Sequence, residues 1–186
     1  MNLYVYIHIP YCYKKCPYCS FVSFEKALNT KTSYLIALKK EIEKFFSDND
    51  PYTIQTIYIG GGTPSLLKPD ELQSILESLR KNQISKDCEI TIELNPNNAN
   101  KNYLKLLKEM GITRVSLGIQ SFNNKKLQFL KRLHDSNQSF RSIENALEFF
   151  ENVSIDLIYG FEDFSDFQDC LLYTSDAADD LLCVDL

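Results

Sequence analysis

Residues 3–21 read "LYVYIHIPYCYKKCPYCSF". The first seven, rich in aromatic and β-branched residues, predict a strand over 3–9. Pro10 ends it, and Cys12, Cys16 and Cys19 follow in one short loop, with Lys14 and Lys15 between the first two. A structural zinc site takes four protein ligands, usually as two separated pairs, and no second pair stands nearby. His8 would be the fourth ligand of a zinc set, so zinc stays open. A 4Fe-4S cube held by three thiolates leaves its fourth iron free for a small-molecule ligand, which suits this spacing better. The two lysines would offset thiolate and cluster charge, or serve solubility alone.

Working outward, strands and amphipathic helices alternate. Leu35, Leu38, Ile42, Phe45 and Phe46 recur at helical spacing and predict a helix over 33–46, followed by a strand over 54–59. Pro69 suits the first turn of a helix over 69–81 that has Leu72, Ile75, Leu76 and Leu79 on one face. Then come a strand over 88–94, a helix over 101–110 closed by Gly111, a strand over 112–119, helical residues at about 124–150 and a strand over 153–159. This α/β order implies a parallel sheet with right-handed crossovers. A doubly wound sheet and a (β/α) barrel both satisfy it, and both place function at the strand C-termini.

The strand ends carry polar groups. Gly60–Gly61–Gly62–Thr63–Pro64 lets backbone approach a ligand closely, and it lacks the spacing and lysine of a phosphate loop. Glu93 would hold an ammonium group or simply face solvent. Gln120 offers an amide to ribose hydroxyls, and Asp156 is an acid within an apolar run, where it needs a partner or a ligand. Together they suit a zwitterionic nucleoside.

Composition sets the bounds. The chain has 186 residues, 44% of them hydrophobic and 12% aromatic, as in an ordinary globular domain. "MNLYVYIHIP" has no basic flank and only a short apolar run, so no secretory signal is expected and the chain is placed in the cytosol. There the six cysteines are ligands, catalytic groups or core residues rather than disulfides. A net charge of -5 without a basic cluster gives no footprint for nucleic acid, and no long apolar run marks an integral membrane segment. Small molecules or another protein are the expected partners.

In order and spacing, "YIHIPYCYKKCPYCSF", "YIGGGTPSLL", "ITIELNP", "GITRVSLGIQSF" and "IDLIYG" resemble the radical S-adenosylmethionine (SAM) proteins of the oxygen-independent coproporphyrinogen III oxidase type. The resemblance spans residues 1 to about 164. It implies an incomplete triosephosphate-isomerase-like barrel of about five βα units, with a 4Fe-4S cluster on Cys12, Cys16 and Cys19 whose fourth iron is chelated by SAM. Carried over by position, Gly61, Gly62 and Thr63 match the family's glycine motif at the methionyl part, and Glu93 matches its strand-three acid. Gln120 and Asp156 match groups near the ribose, Arg132 an arginine near the SAM carboxylate, and Tyr6 a tyrosine close to the sulfonium. The implied chemistry is electron transfer into SAM, giving methionine and a 5'-deoxyadenosyl radical.

Phe21 stands where the decarboxylating oxidases of the family have a further cysteine. Phenylalanine there favours the other branch, heme chaperones that bind heme in the full-length protein and deliver it to a respiratory acceptor protein. In the oxidase alternative the ligand is a porphyrinogen. The family pattern continues beyond residue 160 with a further strand and helix and a heme-binding C-terminal domain. From Cys170 the reading "CLLYTSDAAD" instead resembles a translated sequencing adapter. Residues 1–169 are therefore expected to form a partial barrel and 170–186 a non-native tail, with Cys170 and Cys183 not ligands. An open last strand would make such a fragment prone to aggregate.

Overall fold

The computed structural model describes residues 1–49 and 51–160. Its elements are β1 (Asn2–Ile9), β2 (Tyr11–Cys12), β3 (Phe24–Glu25), α1 (Lys31–Ser47), β4 (Thr53–Gly61), α2 (Pro69–Arg80), β5 (Gln83–Leu94), α3 (Lys101–Glu109), β6 (Arg114–Gln120), α4 (Asn124–Phe129), α5 (Ser136–Phe149) and β7 (Asn152–Leu157). Local chemistry fixes the ends as expected: Pro69 occupies the first turn of α2, and Gly111 takes a φ of +80° after α3.

β1, β4, β5, β6 and β7 form one parallel sheet in that order. Chain order equals spatial order, with none of the reversal that a doubly wound sheet requires. Alternation along the strands points the same way. Ile57, Ile59, Ile90, Ile92, Val115 and Leu117 are buried in one core with Leu72, Leu76, Leu104, Leu107 and Ala146 of the helices. Each of the Ile, Val and Leu side chains among them contributes about 2 kcal/mol of apolar burial. Between them Tyr58, Glu93, Arg114 and Ser116 belong to the other, polar face. Helices on one face and a polar interior on the other describe part of a (β/α) barrel. Among the described residues β1 and β7 each have one neighbour in the sheet.

Two predicted boundaries need correction. β5 begins at Gln83 rather than 88, pairing Gln83 with Thr53 before a register shift between Ile54 and Thr56. The helical stretch expected at 124–150 divides into α4 and α5, because Lys131 turns to a φ of +53° and Asp135 starts a new helix. The division at residue 169 and the 170–186 tail, with Cys170 and Cys183, lie outside the described residues. No helix among the described residues is long and apolar enough to cross a membrane.

Candidate functional site

The cysteine loop leaves the C-terminal end of β1 and is held by its own backbone. Tyr11–Cys12 pairs with Phe24–Glu25, the Phe24 amide donates to Pro10 O (2.8 Å), and the Gly62 amide reaches across to Ile9 O (2.8 Å). Inside the loop the Cys19 amide donates to Cys16 O (3.1 Å) and Lys15 Nζ to Phe21 O (3.0 Å). Lys15 is thus tied into the loop's own fold. His8 clasps the returning segment through Nε2 and Val22 O at 2.7 Å. The three thiols are free, Cys12 buried and Cys16 and Cys19 half-buried. Thr63 Oγ1 lies 3.6 Å from Cys12 Sγ, and Arg132 Nη1 lies 3.5 Å from Cys16 Sγ.

The glycine turn at the end of β4 is required by its protein neighbours. A Cβ on Gly60 would stand 2.8 Å from the Tyr58 ring, on Gly61 2.6 Å from the His8 ring, and on Gly62 2.7 Å from Tyr11 O. Gly61 also has a φ of +111°, which favours glycine. Its amide donates to Glu93 Oε2 (3.0 Å), and Tyr58 donates to Glu93 Oε1 (2.9 Å). Glu93 is therefore an engaged, half-buried acid rather than a solvated one. Burial raises its pKa, the Tyr58 and Gly61 hydrogen bonds oppose that, and Asp156 adds to the rise. Asp156 accepts from Ser116 Oγ (3.2 Å). It is exposed on the edge strand, yet its crowded side raises its pKa, against Ser116, Arg114 and Arg132. Two carboxyls that ionise at a cost beside each other favour a cationic guest.

Arg132 comes from the segment between α4 and α5. Nη2 donates to Gly118 O (2.7 Å), Nη1 reaches the Tyr18 hydroxyl (3.4 Å) as well as Cys16, and the buried Nε has no hydrogen-bond partner among the described residues. Gln120 ends β6 at a φ of +70°, and its amide nitrogen lies over Gly118. Tyr6 stacks on Tyr58 with centroids 6.0 Å apart and bonds His8 Nδ1 at 3.1 Å. All eleven residues singled out in the sequence thus fall at the C-terminal end of the sheet or on the loops that leave it.

Sequence reasoning missed Tyr58, Ser116, Tyr18 and His134. Tyr58 and Ser116 carried a signal, since Tyr58 shares the strand parity of Gly62 and Ser116 that of Gln120. His134 is 4% exposed and bonds Ile119 O through Nε2 at 3.0 Å. Burial first, then Arg132, pushes its pKa down to about 4. Among the described residues no three His, Cys, Asp or Glu side chains gather around a single-ion point.

Residues 6–171 match the Radical SAM superfamily. The chain belongs to the Radical SAM superfamily. Membership implies a 4Fe-4S cluster and SAM, and the three free thiols, the paired acids and Arg132 Nε, which has no partner among the described residues, form a donor set that fits both. Within the superfamily the chain is 40% identical over 158 residues to the heme chaperone HemW of Buchnera aphidicola subsp. Acyrthosiphon pisum, covering 84% of this chain and 42% of that one. To the heme chaperone HemW of Mycobacterium tuberculosis it is 36% identical over 179 residues, covering 94% and 45%. The solved structure of coproporphyrinogen III oxidase from Escherichia coli, a Radical SAM enzyme, superposes with a TM-score of 0.82 at 27% identity, over 94% of this chain and 41% of that one. The chain thus aligns with the heme chaperone branch of the oxidase-like Radical SAM proteins, and it spans under half the length of these relatives.

Proposed function

We propose that this chain is the SAM-binding part of a cytosolic heme chaperone that passes heme to a respiratory acceptor protein. The observation that carries the reading is Phe21. It follows the third thiol at the place where the oxidase branch has a cysteine, and the heme chaperone relatives reach 40% identity.

In this reading Cys12, Cys16 and Cys19 hold the cluster, and their loop is already shaped by Ile9 O, Val22 O and Glu25. Glu93 accepts the SAM ammonium while Tyr58 and the Gly61 amide fix its orientation. Arg132 keeps Nη2 on Gly118 O and turns Nη1, whose contacts at 3.4 and 3.5 Å are long, toward the SAM carboxylate. Gly61, Gly62 and Thr63 bound the methionyl part, and Gln120 and Asp156 face the ribose. Tyr6, braced by Tyr58 and His8, lies beside the sulfonium. When bound, the cluster supplies the electron that reductive SAM cleavage requires.

Full-length protein reconstituted anaerobically should carry about four irons and four sulfides per chain, lose them in Cys16→Ala, and change its reduced-cluster paramagnetic spectrum when SAM is added. It should also bind heme and hand it to an acceptor. Zinc without sulfide would end the cluster reading, and absence of heme binding would end the chaperone reading. The structural match to the Escherichia coli oxidase supports one alternative, oxidative decarboxylation of a porphyrinogen. Conversion of coproporphyrinogen III to protoporphyrinogen with SAM would establish that alternative instead.

A further inference from the structure

The end of β6 has an irregularity that the SAM contacts alone do not explain. β7 pairs with β6 through Gly118↔Asp156 and Gln120↔Leu157, so the register skips Ile119, which has no partner on β5 either. A residue dropped from the ladder leaves its carbonyl in need of a donor. Ile119 O finds two: the Ser121 amide at 2.9 Å and His134 Nε2 at 3.0 Å. The first closes a three-residue turn over Gln120, whose φ of +70° is rare and strained for a residue with a Cβ. That turn folds the Gln120 amide back over Gly118, beside Arg132 Nη2. Gln120 O in turn holds the Ile158 amide at 2.9 Å.

We propose that His134 is a positioning residue for the nucleoside half of SAM, locking the strained Gln120 turn through Ile119 O. The proposal rests on the SAM-site reading given above. Only one ring nitrogen works: Nε2 carries the proton for Ile119 O, and the buried Nδ1 has no hydrogen-bond partner among the described residues. Neutrality of the buried ring keeps that tautomer in place. Arg132 and His134, two residues apart, thereby grip the successive carbonyls of Gly118 and Ile119, one basic side chain for each half of the ligand.

Three variants of the cluster-reconstituted protein test this, titrated calorimetrically with SAM and with methionine alone. His134→Met fills the buried volume without a donor, His134→Asn is too short to reach Ile119 O, and His134→Gln carries an N–H at nearly the reach of Nε2. SAM affinity should fall about tenfold in the Met and Asn variants, the worth of a lost positioning hydrogen bond. Methionine affinity and iron content should stay within about twofold, and His134→Gln should recover SAM affinity. Unchanged SAM affinity in the Met and Asn variants overturns the proposal and leaves the SAM site standing. Equal loss of SAM, methionine and iron, or failure of both variants to fold, assigns His134 to general stability and also overturns it. Wild-type protein that binds no SAM removes both readings.

Discussion

Gly62 joins the cysteine loop to the sheet, and its lack of a side chain is a matter of packing. A Cβ there would press on Tyr11 O, Ile9 O and Tyr11 N at 2.7–2.9 Å. All three are backbone, so none can swing aside, and the Gly62 amide bond to Ile9 O would have to lengthen. Gly62→Ala should lower stability by about 2 kcal/mol and reduce iron retained after reconstitution, read by thermal denaturation and metal analysis. An unchanged melting temperature would mean the junction has slack. At this scale the grouping of the three thiols in one loop was legible in the sequence, because their spacing is set within eight residues. Tyr18 and the contact of Arg132 with Cys16 were not, because residues 116 positions apart meet only through the completed fold.

Among the elements, the split between α4 and α5 matters most. The apolar spacing runs on through 124–150 with no glycine or proline to interrupt it, so periodicity alone predicts one helical stretch. The break has a local signature nonetheless. Asp135 accepts from the Gln138 amide at 2.8 Å while Gln138 Oε1 accepts from the Asp135 amide at 3.1 Å, a reciprocal cap that begins α5. The residues freed between the helices are those that return Arg132 and His134 to the sheet. Asp135→Ala should cost about 1 kcal/mol in chemical denaturation. Asp135→Asn, which keeps the acceptor, should cost much less, and equal losses would show that the charge rather than the cap is at work. The expected alternation of strands and helices was otherwise recovered, since each apolar stripe faces one shared core.

Across the whole molecule, the candidate site gathers at one end of the sheet and an ion-pair network at the other. At the N-terminal end Arg114 reaches Glu89 (3.4 Å) and Ser154 (3.3 Å), and Asn152 and Thr91 complete the acid's shell. The pair is partly exposed, at 24% and 38% of its side-chain area, so Arg114→Met should cost only about 1–2 kcal/mol. Because Arg114 also favours the ionised form of Asp156, SAM affinity should fall only about twofold in that variant, and a larger loss of binding would break the division of labour. Barrel and doubly wound sheet could not be separated by periodicity, because both write the same alternation; spatial strand order, a long-range property, decides between them. That order also dictates a timetable. The cysteine loop precedes in the chain the residues that shape its seat, Gly62, Thr63 and Arg132, the last of them 116 residues behind Cys16. Until Arg132 is in place the loop offers metal an unshaped peptide, so a cofactor held by these thiols would have to meet a polypeptide whose parallel sheet has already formed.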